Sequence, residues 1–231
     1  MICVFLINFQ IISFLLFRKS EKVVNLITDA LEFMYTPWPD NTDIYALRSQ
    51  LVDLIGDYMY FAPSFEVADI HSRVAPVYMY EFAHRSNVVS YGAKWMGVVH
   101  ADNVAYDFGI PLMSRLPFKY DTADQNVSLF IMAMYVNFAR FSDPNPQPVR
   151  GIILEKFNSS QRAYLIVDVS PKMAVSFYPR RMAFWNDYYP NLAQLNIDTK
   201  KDMASGVATE TLRQTVPVIL AMFSLQVFFT K

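Results

Sequence analysis

The strongest constraint on the fold is a long amphipathic helix set between two strand-like runs. From Thr122 to Phe141, the residues Val127, Phe130, Ile131, Met134 and Phe138 follow the i, i+3, i+4, i+7 spacing that lines one helical face with apolar side chains. SDPNPQP at 142–148 ends it, because prolines lack the amide donor a helix needs. Upstream, PVYMYEF at 76–82 is rich in aromatic and β-branched residues and reads as a strand; downstream, Tyr164–Val169 reads as a second. Further helices are predicted from Glu21 to about Tyr35, with Val24, Ile27, Leu31 and Met34 on one face, and from Asp43 to Gly56. The prolines of TPWPD at 36–40 separate these two. Another helix starts with Pro63 in its first turn and ends near His71 to Arg73. A last one covers Met182–Leu195, interrupted near Pro190, and the stretch from Ser86 to Ala101 reads as loop. Two strands among at least five helices indicate an α/β fold, namely the edge of a sheet with its covering helices.

Composition narrows the functional classes. Hydrophobic residues make up 53% of the 231, which excludes a largely disordered chain. Lys+Arg and Asp+Glu number 20 and 21, so no basic stripe invites nucleic acid. Cys3 is the single cysteine, which rules out an intrachain disulfide and a cysteine-based metal site. No metal and no cofactor are expected.

Four segments in series resemble the C-terminal region of the type-B carboxylesterases, the family that includes the cholinesterases. They are PVYMYEFAHRS at 76–86, WMGVVHADNVAYDFGIPL at 95–112, NFARFSDPNP at 137–146 and MAFWNDYYP at 182–190. The resemblance runs from about Val23 to Leu195 and implies the C-terminal part of an α/β-hydrolase fold, incomplete in this chain. In that fold the catalytic triad follows the chain order Ser, Glu/Asp, His. The resemblance places His100 at the catalytic histidine position, as general base towards the serine and general acid towards the leaving alcohol. Its partners are missing. The six glycines stand at 56, 92, 97, 109, 151 and 206, no two of them four apart, so no G-x-S-x-G exists. There is also no glycine pair for an oxyanion loop. Asp102 and Asp107 follow His100 and are not assigned to the triad. The chain by itself is therefore expected to be inactive.

The substrate class implied is a small carboxylic ester. Cholinesterases pair a cysteine before the proline matching Pro63 with one in the segment matching MAFW; Ala62 and Met182 stand there instead. They also have a glycine-tyrosine pair where this chain has Ala101 and Asp102, an order closer to general arthropod-type carboxylesterases. The competing expectation is a non-catalytic, neuroligin-like adhesion protein, favoured by FMYTPWPD at 33–40 and APSFEVADIH at 62–71. WMGVVH favours the esterase. His71 and His84 are expected to be structural, with Arg85 paired to an acid. Trp95, Phe184 and Trp185 are expected in the core or lining the gorge.

The two ends carry separate signals. Residues 1–22 open with an uncharged apolar run to Phe17, read either as an export signal or signal anchor or as a displaced start, the resemblance favouring the latter. Residues 23–198 form the esterase-like region. Residues 199–231 place the small triplet Ala204–Gly206 before a spacer and an apolar run, Val216–Phe229. That order fits a glycosylphosphatidylinositol attachment signal, with Ser205 or Gly206 as the attachment residue. Sequons at Asn126 and Asn158 fit a glycoprotein that is secreted or anchored at the cell surface. A homodimer is among the partner expectations.

Overall fold

The computed structural model of the chain describes residues 21–89 and 92–195, and the backbone of residues 225–229. Helix α1 is Glu21–Tyr35, as its spacing predicts. Helix α2, Ile44–Gly56, starts at Asp43, whose carboxylate accepts from the backbone amides of Tyr45 and Ala46 at 2.8 and 3.2 Å. A π turn, Asp57–Phe61, then leads directly into α3, Ala62–His71. Pro63 sits in the first turn of α3 and the helix ends at His71, as expected; the π turn ahead of it had no sign in the sequence and accommodates a proline that has no N–H to return.

Strand β1 is Val77–Phe82. Beyond it come a 3₁₀ turn at Lys94–Met96, a single-turn helix α4 at Val104–Asp107 and a second 3₁₀ turn at Ile110–Leu112. Helix α5 is Thr122–Phe141, opened by a capping box in which Asp121 and Asp124 satisfy each other's backbone amides. Strand β2 is Ala163–Val167 and β3 is Lys172–Val175. Helix α6, Pro179–Ala183, passes through a second π turn, Phe184–Tyr188, into α7, Tyr189–Gln194. The predicted interruption thus falls before Pro190, which sits in the first turn of α7, where its missing amide has no partner to lose. Strand β4 is Leu225–Phe229.

The chain divides into two compact units. The described part of the first comprises 21–62 and 179–195. Its core takes Val23, Val24, Ile27, Leu31 and Tyr35 from α1, with Met182, Phe184 and Trp185. Within it, Arg181 forks onto the fully buried Asp57, with Nε to Oδ2 at 2.5 Å and Nη2 to Oδ1 at 2.7 Å, and reaches Asp53 at 3.0 Å. The Tyr35 hydroxyl donates to Asp57 at 2.7 Å and accepts from the Trp185 indole at 2.6 Å. Ala62 and Met182, at the positions of the cholinesterase cysteines, are both buried. The Asn186 amide donates to the Ala62 carbonyl at 3.0 Å, so polar bonds link these segments where the resemblance implies a disulfide in relatives.

The second unit is built on a sheet of order β3-β2-β1-β4. Strands β1 and β2 are parallel, with Tyr80 opposite Leu165 and Phe82 opposite Val167. Parallel neighbours need a long crossover, and α5 supplies its helix. Strand β3 returns antiparallel on β2, and β4 runs antiparallel along β1 from Val77 to Glu81. Tyr78, Tyr80 and Phe82 pack with Leu165 and Val167 against Val127, Phe130, Ile131 and Met134 of α5. On the opposite face Phe65 of α3 meets Phe157, Tyr164 and Phe177 at ring-centroid distances of 6.0, 6.4 and 5.6 Å. Burial on both faces explains why β1 reads as a continuous apolar run.

Candidate functional site

His100 sits on the loop between β1 and α4, and both ends of that loop, His84 with Ser86 and Tyr106, are bonded to Asp124 of α5. Asp124, in the first turn of α5, is fully buried. Its Oδ1 accepts from the Tyr106 hydroxyl at 2.7 Å and from His84 Nε2 at 2.8 Å. Its Oδ2 accepts from the Ser86 hydroxyl at 2.9 Å and the Asp121 amide at 3.2 Å. Burial pushes this carboxyl up, but the four hydrogen bonds together outweigh it and hold the pKa below its ordinary value. His84 also reaches Asp168 with Nδ1 at 3.1 Å.

The contacts continue outward from this network. Ser86 Oγ accepts from the amides of Val88 and Val89 at 3.0 and 3.1 Å, fixing the start of the loop. Arg85 donates to the Gly92 carbonyl at 2.8 Å and to the Gly97 carbonyl, where an acidic partner was expected. A fork of donors suits two carbonyls, and it ties both ends of the 3₁₀ turn that precedes His100. Asp102 closes the other side, accepting from the Val99 amide at 3.0 Å. Ala101 takes the left-handed backbone with φ 71°, which turns the chain sharply after His100. Asp107 accepts from Asn103 at 2.7 Å. Both aspartates near His100 thus have local structural work.

His100 itself is half-buried, and desolvation lowers its pKa from the ordinary 6.5. The ring is therefore neutral at neutral pH, the state a general base requires. A small cavity of about 10 Å³ lies behind the turn, lined by His84, Ser86, Asp102, Tyr106 and Tyr120 among others. It is far below the ~300 Å³ of a small-molecule site.

The remaining sequence candidates fall elsewhere. His84 is buried and bonded to two carboxylates, an arrangement that no local pattern in the sequence signals. The Asp121/Asp124 spacing is a cap signal and was the available clue to the buried acid. His71 ends α3, its carbonyl accepting from Val74 and Ala75 at 3.0 Å each. Phe184 and Trp185 are in the core of the first unit, but Trp95 is 45% exposed on its 3₁₀ turn. Asn126 lies within α5 and Asn158 in a turn before β2. Ser205 and Gly206, like residues 1–20, lie outside the described residues. Among the described residues no helix is long and apolar enough to cross a membrane, and no cluster of ligating side chains forms a metal site.

Comparison with known proteins identifies the frame in which His100 stands. A model described as the carboxylesterase family matches residues 6–185. The chain belongs to this family. The mixed sheet with α5 across one face is accordingly a partial α/β-hydrolase fold. This carboxylesterase-family chain is 27% identical over 191 residues to human Neuroligin-2, covering 75% of the chain and 23% of that protein. Mouse Neuroligin-3 is 29% identical over 187 residues, covering 74% of the chain and 22% of the relative. An acetylcholinesterase of Leptinotarsa decemlineata is 32% identical over 191 residues, covering 78% and 29%. The chain thus spans about a quarter of the length of these relatives. Relatives named for catalysis and relatives named as neuroligins are matched over similar extents.

Proposed function

We propose that this chain is the histidine-bearing segment of a serine-type carboxylic ester hydrolase acting at the cell surface or outside the cell, with His100 as its general base and acid. The observation that carries this reading is a neutral, half-buried imidazole on a loop pinned from both sides, by Arg85 before it and Asp102 after it. Triad chemistry needs a histidine held in place and unprotonated at working pH. The nucleophile, the acidic partner and the oxyanion donors come from sequence outside this chain. The purified 231-residue chain is expected to release no nitrophenol from a simple nitrophenyl ester. Activity that disappears in His100→Ala would sink the reading of the chain as an incomplete site. In the complete protein, His100→Ala should lower kcat by about 10⁴-fold or more.

The second reading is an adhesion protein with the same fold and no catalysis. It is favoured by the identity to Neuroligin-2 and Neuroligin-3 and by Ala62 in place of a cysteine. The transcript upstream of residue 23 separates the two. G-x-S-x-G there supports the hydrolase, and another residue at the serine position supports adhesion.

Attachment through a glycosylphosphatidylinositol group at Ser205 or Gly206 is part of the proposal, supported by the small-residue, spacer and apolar-run order of 199–231. A phosphatidylinositol-specific phospholipase should release the mature protein from cells; retention would count against it. A second copy of the chain is the partner assigned to an open groove of about 580 Å³ in the first unit. Its exposed Phe33 and Tyr188 sit beside Arg180 and Asp187, opposite charges that a two-fold axis would pair. Sedimentation of a monomer alone at micromolar concentration would dispose of that assignment.

A further inference from the structure

The two sequons look alike in sequence but differ in conformation. Asn158 opens a turn that its own side chain shapes. Its Oδ1 accepts from the Ser160 amide at 3.1 Å, the Ser160 hydroxyl at 2.6 Å and the Gln161 amide at 2.8 Å. Engaging the amide oxygen three times leaves Nδ2 with a long contact, 3.3 Å to Gln161 Oε1 on the exposed turn. Ser159 and Ser160 are exposed. Both flanks of the turn are fastened. The Phe157 amide donates to the Val77 carbonyl at 2.7 Å, and Arg162 pairs with Asp69 at 2.8 Å. The hydroxyl residue of the sequon is thereby presented together with its asparagine on a rigid, wet surface.

Asn126 stands inside α5. Its Oδ1 accepts from Arg150 at 2.7 Å. The hydroxyl of its sequon, on Ser128, is fully buried and donates to the Tyr106 carbonyl at 2.8 Å. Helix α5 is locally encoded, with its own capping box, and such helices close on the microsecond scale. The sequon is withdrawn as soon as the helix forms and docks.

We infer that Asn158 is a site of N-linked glycosylation and that Asn126 is not, the turn sequon being presented and the helix sequon consumed by the core. In the step, Asn158 Nδ2 forms a bond to the anomeric carbon of a lipid-diphosphate-linked oligosaccharide. The bond from that carbon to the diphosphate oxygen breaks, and one amide proton is lost as the lipid diphosphate departs. The inference rests on the export reading given above.

The test translates the full chain with secretory microsomes, once as it stands and once behind a cleavable export signal. A glycosidase-reversible mass shift is read, and the modified peptide is identified by mass spectrometry. The signal-fused chain should carry one glycan, lost in Asn158→Gln and in Ser160→Ala and retained in Asn126→Gln. If the chain as it stands is unmodified while the fused chain is modified at Asn158, the inference holds and residues 1–22 do not serve as an export signal. A fused chain unmodified at Asn158, or one carrying its glycan at Asn126, overturns the inference.

Discussion

Asp124 is the residue on which the candidate site depends, and its protonation sets a pH limit. Its folded pKa lies below the ordinary 3.8, so the stability it contributes is complete above that value. That stability is lost as pH falls through the depressed folded value. Unfolding by urea, followed by circular dichroism from about pH 5 to about pH 3, should show this loss in the second unit. In Asp124→Asn the same pH step should be smaller. The variant should also be weaker at neutral pH by on the order of 3 kcal/mol, because Tyr106, Ser86 and His84 lose an ionised acceptor inside the core. An unchanged pH profile would mean that the network is not coupled to folding. Little of this was legible beforehand. His84, Asp124 and Asp168 are separated by forty or more residues, and no local spacing connects them. His100 was reached through the resemblance of its segment, since one histidine with no visible partner has no signature of its own.

At the scale of elements, helices with their own signals were read almost to the residue. α5 has a capping box, a sustained apolar face and a left-handed stop at Ser142, all local features. The two π turns were missed because five residues are too few to reveal a shifted period. β3 was missed because its four residues are partly exposed and carry no alternation. The π turns flank the buried Asp57–Arg181 pair, which holds residues 124 apart in sequence. Removing one partner strands a buried charge, so Arg181→Ala should cost the first unit about 3–5 kcal/mol. Burial already raises the Asp57 pKa against the pull of Arg181 and Tyr35, and loss of the guanidinium lets it rise further. The double variant Asp57→Asn with Arg181→Met should recover much of the loss, because the fully buried charge goes with its partner and the Asp53 carboxylate left behind reaches solvent. Thermal unfolding of the wild type, Asp57→Asn, Arg181→Met and the double variant provides the comparison, and additive losses would argue against a coupled pair.

At the scale of the whole molecule, the apolar tail has two uses that compete. Strand β4 covers the edge of β1 from Val77 to Glu81, and β1 is buried at five of its six positions. The anchor reading instead removes everything after the attachment residue. A chain ending at Gly206 therefore exposes the unpaired amides and carbonyls of a strand whose side chains are almost wholly apolar. Such an edge recruits other strands. The truncated chain should form larger species at concentrations where the full chain does not, as measured by light scattering. Interrupting the edge should reverse this. Met79→Pro would also disrupt the core, so the informative variant is Glu81→Lys, at the less buried position of β1, which adds a cation beside the open edge. Equal monodispersity of the full and truncated chains would show that β4 does not protect β1, and the tail would then be free to serve only as a signal.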